Sequence, residues 1–440
     1  MNHFLIFLIP YVFPLAFLLL LLNFFIRKPH RKVFLLDFAC YKPPATQKCS
    51  QDVFLDRVRV LGNFSESNME FMQRTLERSG LGQSTYVASA LLNKDSINPS
   101  TEDARKEAEA VIFGAVDQLL EKTGVKGEEI GIVIVNCSIF NPVPSLSAMV
   151  VNRYRLRENV LSFNLGGMGC GASLAAIGLA RQLLQVHHNS YALVVSTENI
   201  TQNFYPGNDR SKLLTNCLFR VGGAAILLSN RPSDRNIAKY ELIHTVHTHT
   251  ASIDQSYKCV FQEEDHHGNI GITIDKHVTS IAMNALEINF TRIARLVLPV
   301  SEQILYVTNF IIRYLHVAEI KPYVPNFKKA VEHVLPQVGT RPILEELQRR
   351  LGFNRRDLEA CRMTLYRFGN MSSSTIWYEL AYTEAKGRMK RGDRVWHIAY
   401  GSGFTCSSLI WRARKNVDRE DKNPWSDEID GFPIFEKDIY

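Results

Sequence analysis

The chain has 440 residues, 46% hydrophobic and 22% charged, with a net charge of +7. That length and composition exclude a disordered or collagen-like chain and require more than one domain or repeated half. Basic residues recur among acidic ones with no long basic tract interleaved with aromatics, which argues against nucleic acid as a partner.

Phe4 to Ile26 carries no charged residue. As a helix this run spans roughly 35 Å, enough to cross a hydrocarbon core of about 30 Å. Arg27, Lys28, His30, Arg31 and Lys32 follow at once, and no Lys or Arg precedes. The positive-inside rule then places the bulk of the chain on the cytosolic side. A cleaved signal peptide would need a basic start, a shorter apolar run and a small-residue cleavage site, and all three are missing. Pro10 and Pro14 leave both a single span and a re-entrant hairpin open.

The run Lys32-Val-Phe-Leu-Leu-Asp-Phe predicts a first strand. Residues 43–100 are polar and interrupted by Pro, Ser and Asn, which predicts a long surface excursion with one helix near Ser67–Ser79. Apolar residues recur at helical spacing over Thr101–Thr123, with acidic residues near the start. Ile130-Gly-Ile-Val-Ile-Val-Asn reads as a buried strand, and Pro144–Leu156 returns to helical spacing. Leu161-Ser-Phe-Asn-Leu leads into Gly166-Gly-Met-Gly-Cys170-Gly, followed by an apolar helix over Ala172–Val186 and strands at Tyr191 and Gly222. The second half repeats the alternation. Strands are predicted at Glu241–His247, Val395–Ala399 and Ser408–Arg412, and helices at Val278–Phe290, Arg341–Leu351 and Ser373–Lys386. Strands alternating with helices indicate an α/β class. The expected division is a membrane anchor with basic flank at 1–32, a first half at 33–235, a second half at 236–415 and a charged surface tail at 416–440.

The eight cysteines form no CxxC pair and are widely spaced, which fits free thiols in a reducing compartment. Only Cys170 has a context that argues for chemistry. Glycines bracket it, so the backbone can turn sharply from strand to helix. Cys170 then sits at a helix N-terminus, where unpaired amides and the dipole favour a thiolate. The amides of Gly169 and Gly171 can hold the oxyanion of a thioester adduct. The glycine spacing does not match G-x-G-x-x-G, so a dinucleotide loop is not indicated.

Longer motifs surround this turn. They are Asp37-Phe-Ala-Cys-Tyr-Lys-Pro, Asn136-Cys-Ser-Ile-Phe-Asn-Pro, Asn164-Leu-Gly-Gly-Met-Gly-Cys, Ser196-Thr-Glu-Asn-Ile-Thr and Gly207-Asn-Asp-Arg-Ser. In the second half come Tyr366-Arg-Phe-Gly-Asn-Met-Ser-Ser-Ser, Trp377-Tyr-Glu-Leu-Ala-Tyr-Thr-Glu-Ala and Gly401-Ser-Gly-Phe. In these motifs, over roughly residues 30–430, the chain resembles the plant 3-ketoacyl-CoA synthases, the condensing enzymes of very-long-chain fatty acid elongation.

The resemblance implies a thiolase-like five-layer αβαβα fold of two similar halves, usually dimeric. It implies decarboxylative condensation of a long-chain acyl-CoA with malonyl-CoA through a cysteine thioester, with no cofactor beyond the CoA thioesters. It carries over Cys170 as nucleophile, Asn370 as an amide donor, and His249 as a second histidine near the site. It also implies Gly401 and Gly403, in the motif Gly401-Ser-Gly-Phe, as oxyanion or turn glycines of the site. The implied setting is the endoplasmic reticulum membrane with the catalytic part facing the cytosol. The implied partners are a second condensing enzyme in a homo- or heterodimer and the elongase reductases and dehydratase.

One segment departs from the family. The catalytic histidine is expected in a Phe-Glu-His…His-Ala-Gly-Gly-Arg segment, and here the residues read Val331-Glu-His-Val-Leu-Pro-Gln-Val-Gly-Thr-Arg. Gln337 occupies the histidine position. A glutamine donates a hydrogen bond but takes no proton from a thiol. His333 is a candidate substitute, although in a strand four residues span about 13 Å. Two readings follow: an active condensing enzyme, or a catalytically weak homologue that pairs with active synthases.

Overall fold

Strand Val33–Cys40 is buried at every position and joins the two halves of the molecule. On one side it runs antiparallel to Gly223–Ser229, on the other to Tyr240–His249. The structure is a computed structural model that describes residues 31–62, 64–93, 100–316 and 320–434. The described residues from Val33 onward form one compact unit. The predicted anchor and most of its basic flank lie outside the described residues, within which no helix is long and apolar enough to cross a membrane.

The main sheet has nine strands. From one edge they run Leu161–Leu165, Ile130–Asn136, Tyr191–Thr197, Gly223–Ser229, Val33–Cys40, Tyr240–His249, Thr405–Ala413, Arg394–Gly401 and His333–Pro336. The pairing repeats. Val33–Cys40, Gly223–Ser229 and Tyr191–Thr197 run antiparallel in turn, and Ile130–Asn136 is parallel to the last. Tyr240–His249, Thr405–Ala413 and Arg394–Gly401 do the same, and His333–Pro336 is parallel to the last. The predicted α/β class is thus a mixed sheet whose two halves share one strand pattern. Helices Ala172–Val186 and Thr375–Ala385 contribute side chains to one shared core, and the second is buried at every residue.

Two expectations are corrected. The described part of residues 43–100 is not a surface excursion. It folds into helices Gln51–Leu61, Glu66–Ser79 and Ser89–Asn93, and Phe54, Val58, Met69, Met72 and Leu76 build a core of their own with Leu213 and Cys217. Their apolar residues recur at three- and four-residue steps, but the turns are short and the outer faces charged, which hid the pattern. The described part of the tail, residues 416–434, is not wholly a surface feature either. Val417, Trp425, Ile429 and Phe432 are buried, and Trp425 packs edge-on against Phe368 and Tyr382. Scattered aromatics in a charged segment bury large areas one residue at a time.

Candidate active site

Strand Leu161–Leu165 ends at a turn in which Gly167 and Gly169 take positive φ, and Cys170 lies in the short 3-10 turn Gly169–Gly171 before helix Ala172–Val186. The turn is clamped from both halves. Ser138 Oγ donates to Gly169 O at 3.3 Å, and Ser402 Oγ donates to Gly167 O at 2.9 Å. A Cβ on Gly401 would meet Met168 O at 2.5 Å and Cys170 N at 2.7 Å. Only glycine lets this loop approach the nucleophile turn so closely.

Cys170, Gln337, Asn370, Ser372 and Glu198 line one cavity of about 730 Å³, together with Gly169, Gly401 and Gly403. Ligand pockets span about 300–1,000 Å³. Away from Cys170 the walls are apolar, with Phe71, Leu218, Val260, Phe261 and Ile274, while Arg74 and Arg78 also line it. Seven of the eight cysteines are buried, and Cys170 alone is partly exposed.

Gln337 follows strand His333–Pro336 and is buried, with its N–H donating to Ile398 O at 2.7 Å. Its Nε2 donates to Asn370 Oδ1 at 3.4 Å, and Ser372 N donates to the same oxygen at 2.9 Å. These bonds occupy the acceptor end of Asn370 and leave its Nδ2 hydrogens for a group beside Cys170.

His333 and His249 stand elsewhere. His333 Nε2 is 3.0 Å from Asp393 Oδ2, at the far end of its strand from Gln337, and does not line the cavity. His249 is exposed. Its Nδ1 accepts from Ala251 N at 3.2 Å, and its ring lies near Gly403 without lining the cavity.

Two residues outside the expected set touch the nucleophile's surroundings. Ser372 Oγ is 3.6 Å from Cys170 Sγ and 3.3 Å from Glu198 Oε2. Ser372 takes a positive φ of 54°, a conformation a non-glycine residue adopts only under constraint. Glu198 is buried. Its Oε1 accepts from Ser138 N and Ile139 N, both at 3.1 Å, and from Cys137 Sγ at 3.2 Å, so Oε2 is the oxygen turned toward Ser372. Both residues sit inside the motifs Ser196-Thr-Glu-Asn and Asn370-Met-Ser-Ser, but no spacing rule brings residue 198 to residue 372.

The electrostatics correct one expectation. Burial, together with the Glu198 charge, pushes the Cys170 thiol up to about 11, and the Ser372 hydrogen bond opposes this only in part. That shift favours the thiol form of Cys170 despite its place near a helix start. Burial also raises the Glu198 carboxyl, against the hydrogen bonds from Cys137, Ile139 and Ser138. No cation is among the described groups that shift the Cys170 thiol.

The family described as FAE1/Type III polyketide synthase-like protein matches residues 24–315, and the 3-Oxoacyl-[acyl-carrier-protein (ACP)] synthase III C terminal matches residues 327–413. The chain is 55% identical to 3-ketoacyl-CoA synthase 2 of Arabidopsis thaliana over 95% of its own length and 81% of that protein. It is 54% identical to 3-ketoacyl-CoA synthase 11 of the same plant, over 93% and 81%. The chain belongs to the 3-ketoacyl-CoA synthase family. It is an acyltransferase of the condensing type. In fold it is similar to a fungal type III polyketide synthase (TM-score 0.68, 16% identity, 87% of this chain and all of that one). A second likeness is to CsyB complexed with CoA-SH (TM-score 0.67, 20% identity, 87% of this chain and 100% of that one).

Proposed function

We propose that this synthase condenses a long-chain acyl-CoA with malonyl-CoA, and that the proton of Cys170 leaves through Ser372 to Glu198. The thiol proton passes to Ser372 Oγ as the serine's own proton passes to Glu198 Oε2. A thiolate and a carboxylic acid result, and the net charge of the site stays the same. The thiolate attacks the acyl-CoA carbonyl and expels CoA, which recovers the proton by the reverse path. Malonyl-CoA then loses carbon dioxide, its enolate attacks the Cys170 thioester, and the cysteine leaves as thiolate and takes up one proton from solvent, which restores the thiol. Asn370 Nδ2 and the second Gln337 Nε2 hydrogen donate to the developing enolate oxygen.

The observation that carries this reading is the contact chain Cys170–Ser372–Glu198 in a cavity with apolar walls. Arg74 and Arg78, one turn apart on helix Glu66–Ser79, supply positive charge for CoA phosphates. The setting is the cytosolic face of the endoplasmic reticulum membrane, supported by the uncharged run 4–26 and its basic flank. The working form is a homo- or heterodimer that hands its ketoacyl product to a reductase and a dehydratase, with no cofactor beyond the CoA thioesters. The alternative, a weak homologue that acts only by pairing, rests on Gln337 alone, and membership of a family named for synthesis weighs against it.

The deciding assay is condensation in microsomes with labelled malonyl-CoA and acyl-CoAs of several lengths. Wild type is expected to form 3-ketoacyl-CoA and Cys170→Ala to form none. Activity only after Gln337→His would favour the pairing homologue.

A further inference from the structure

Helix Val300–Tyr314 is inside out. Its single buried residue is Glu302, 1% exposed, which bonds Lys329 Nζ at 2.6 Å, Tyr323 Oη at 2.6 Å and Asn326 N at 2.9 Å. Its apolar residues face outward. Val300 is 71% exposed, Phe310 56% and Tyr314 73%, with Ile304, Val307 and Ile311 also exposed. Positions 300, 304, 307, 311 and 314 share one face at steps of three and four. The helix carries no charge besides Glu302 and Arg313. Leu296 and Leu315 extend the apolar surface beyond both ends. An exposed apolar stretch of this extent marks a contact surface.

We infer that the Leu296–Leu315 face lies in the headgroup and upper acyl region of an anionic lipid bilayer. Three observations favour lipid. Of six basic residues between 292 and 329, Lys329 pairs with Glu302 and Lys328 with Asp357, which leaves Arg292, Arg295, Arg313 and Lys321 against the acidic Glu319, a balance that complements anionic headgroups. The uncharged run ends at Ile26 and the folded unit begins at Val33, so at most about 25 Å of chain separates them. The segment that builds the helix also builds the apolar end of the cavity. Val260, Phe261, Ile272, Ile274 and Val278 line it, and helix Val278–Val297 leads through Pro299 into Val300–Tyr314. Helix Val278–Val297 thus runs from the cavity wall to the exposed face, about 27 Å along its axis. The inference rests on the proposed membrane attachment through residues 4–26.

The test uses the full chain in vesicles of phosphatidylcholine and phosphatidylserine, with and without bromine on the acyl chains. The four native tryptophans are all buried, so an added one at an exposed position reports its own surroundings. Phe310→Trp is expected to lose its added emission in brominated vesicles, while Val186→Trp, at the exposed end of another helix, does not. Flotation of wild type with the vesicles reports the attachment itself. Failure to float would sink that reading, whereas flotation without quenching at 310 would overturn this inference alone. In the latter case a blue-shifted emission that depends on protein concentration would assign the face to a second copy. A blue shift independent of concentration would assign it to residues of the same chain. Emission unshifted from water would leave it solvated.

Discussion

The first half's wall of the cavity is tightly held. Glu198 takes hydrogen bonds at 3.1 Å from two amides and 3.2 Å from a thiol, and Ser138 fixes the nucleophile turn. At Cys170 itself the second half's wall makes longer contacts, with Ser372 3.6 Å from Cys170 and 3.3 Å from Glu198. The first half supplies the cavity's one carboxylate beside the nucleophile. The second half supplies amides and a hydroxyl, which donate but do not ionise. When a catalytic imidazole is replaced by an amide, the burden of taking up a proton moves to whatever ionisable group the other wall holds.

The largest effect should come from removing the nucleophile. Cys170→Ala is expected to lower condensation by about 10⁴-fold or more, because no covalent acyl intermediate can form. Retained elongation would assign the first wall a purely structural role. Glu198→Gln tests the carboxylate, with an expected loss of about 10²–10⁴ in condensation rate. A second readout separates chemistry from damage. The Glu198 charge helps to raise the Cys170 thiol, so its removal should speed alkylation of Cys170 at neutral pH. Faster labelling with slower condensation is the signature of a lost proton acceptor. If both rates fell together, the carboxylate would be a structural clamp. Ser372→Ala should slow condensation without speeding alkylation, since it removes the side-chain hydrogen bond that lowers the thiol.

Much of this site was legible before the structure. The nucleophile turn stood out because glycines are forced where backbone meets backbone, as at Gly169 and Gly401. Gln337 stood out because Glu332, His333, Gly339 and Arg341 around it match the family segment, while Pro336 and Thr340 depart from it. The strands were legible because buried strands are continuous β-branched runs, as in Ile130–Asn136. Glu198 and Ser372 were hidden, because a contact between residues so far apart in sequence leaves no periodic trace. Helix Val300–Tyr314 was hidden for another reason. Apolar periodicity says which residues share a face, and it does not say whether that face turns toward the core or away.

Gln337→His sharpens the comparison by restoring an ionisable group to the second wall. An imidazole there would pair with Cys170 and recover part of the about 10²–10⁴ that a positioned base supplies. The Cys170 thiol, at about 11 in the native chain, should then titrate lower, and the pH profile of alkylation reads this directly. An unchanged profile would mean that Pro336 and Thr340 have turned the backbone away.

The second half does contain another imidazole, and its behaviour shows why it is no substitute. His397 is fully buried on strand Arg394–Gly401, edge-on to Trp377 at 5.3 Å, and neither ring nitrogen has a hydrogen-bond partner among the described residues. Burial lowers its pKa to about 3. An unfolded histidine titrates near 6.5, so below that pH the unfolded chain binds a proton that the folded chain refuses. Stability is therefore lost progressively as pH falls from about 6.5 toward 3. His397→Leu removes this term. Relative to wild type, the variant should gain about 2 kcal/mol between pH 7 and pH 5, read as a shift in urea midpoint in detergent. Buried Glu198 and Glu384, whose carboxyls burial raises, act in the opposite direction but equally in both proteins, so the difference isolates the ring. A pH-independent difference would mean that His397 takes up its proton in the folded state, and that the core around Trp377 opens to water.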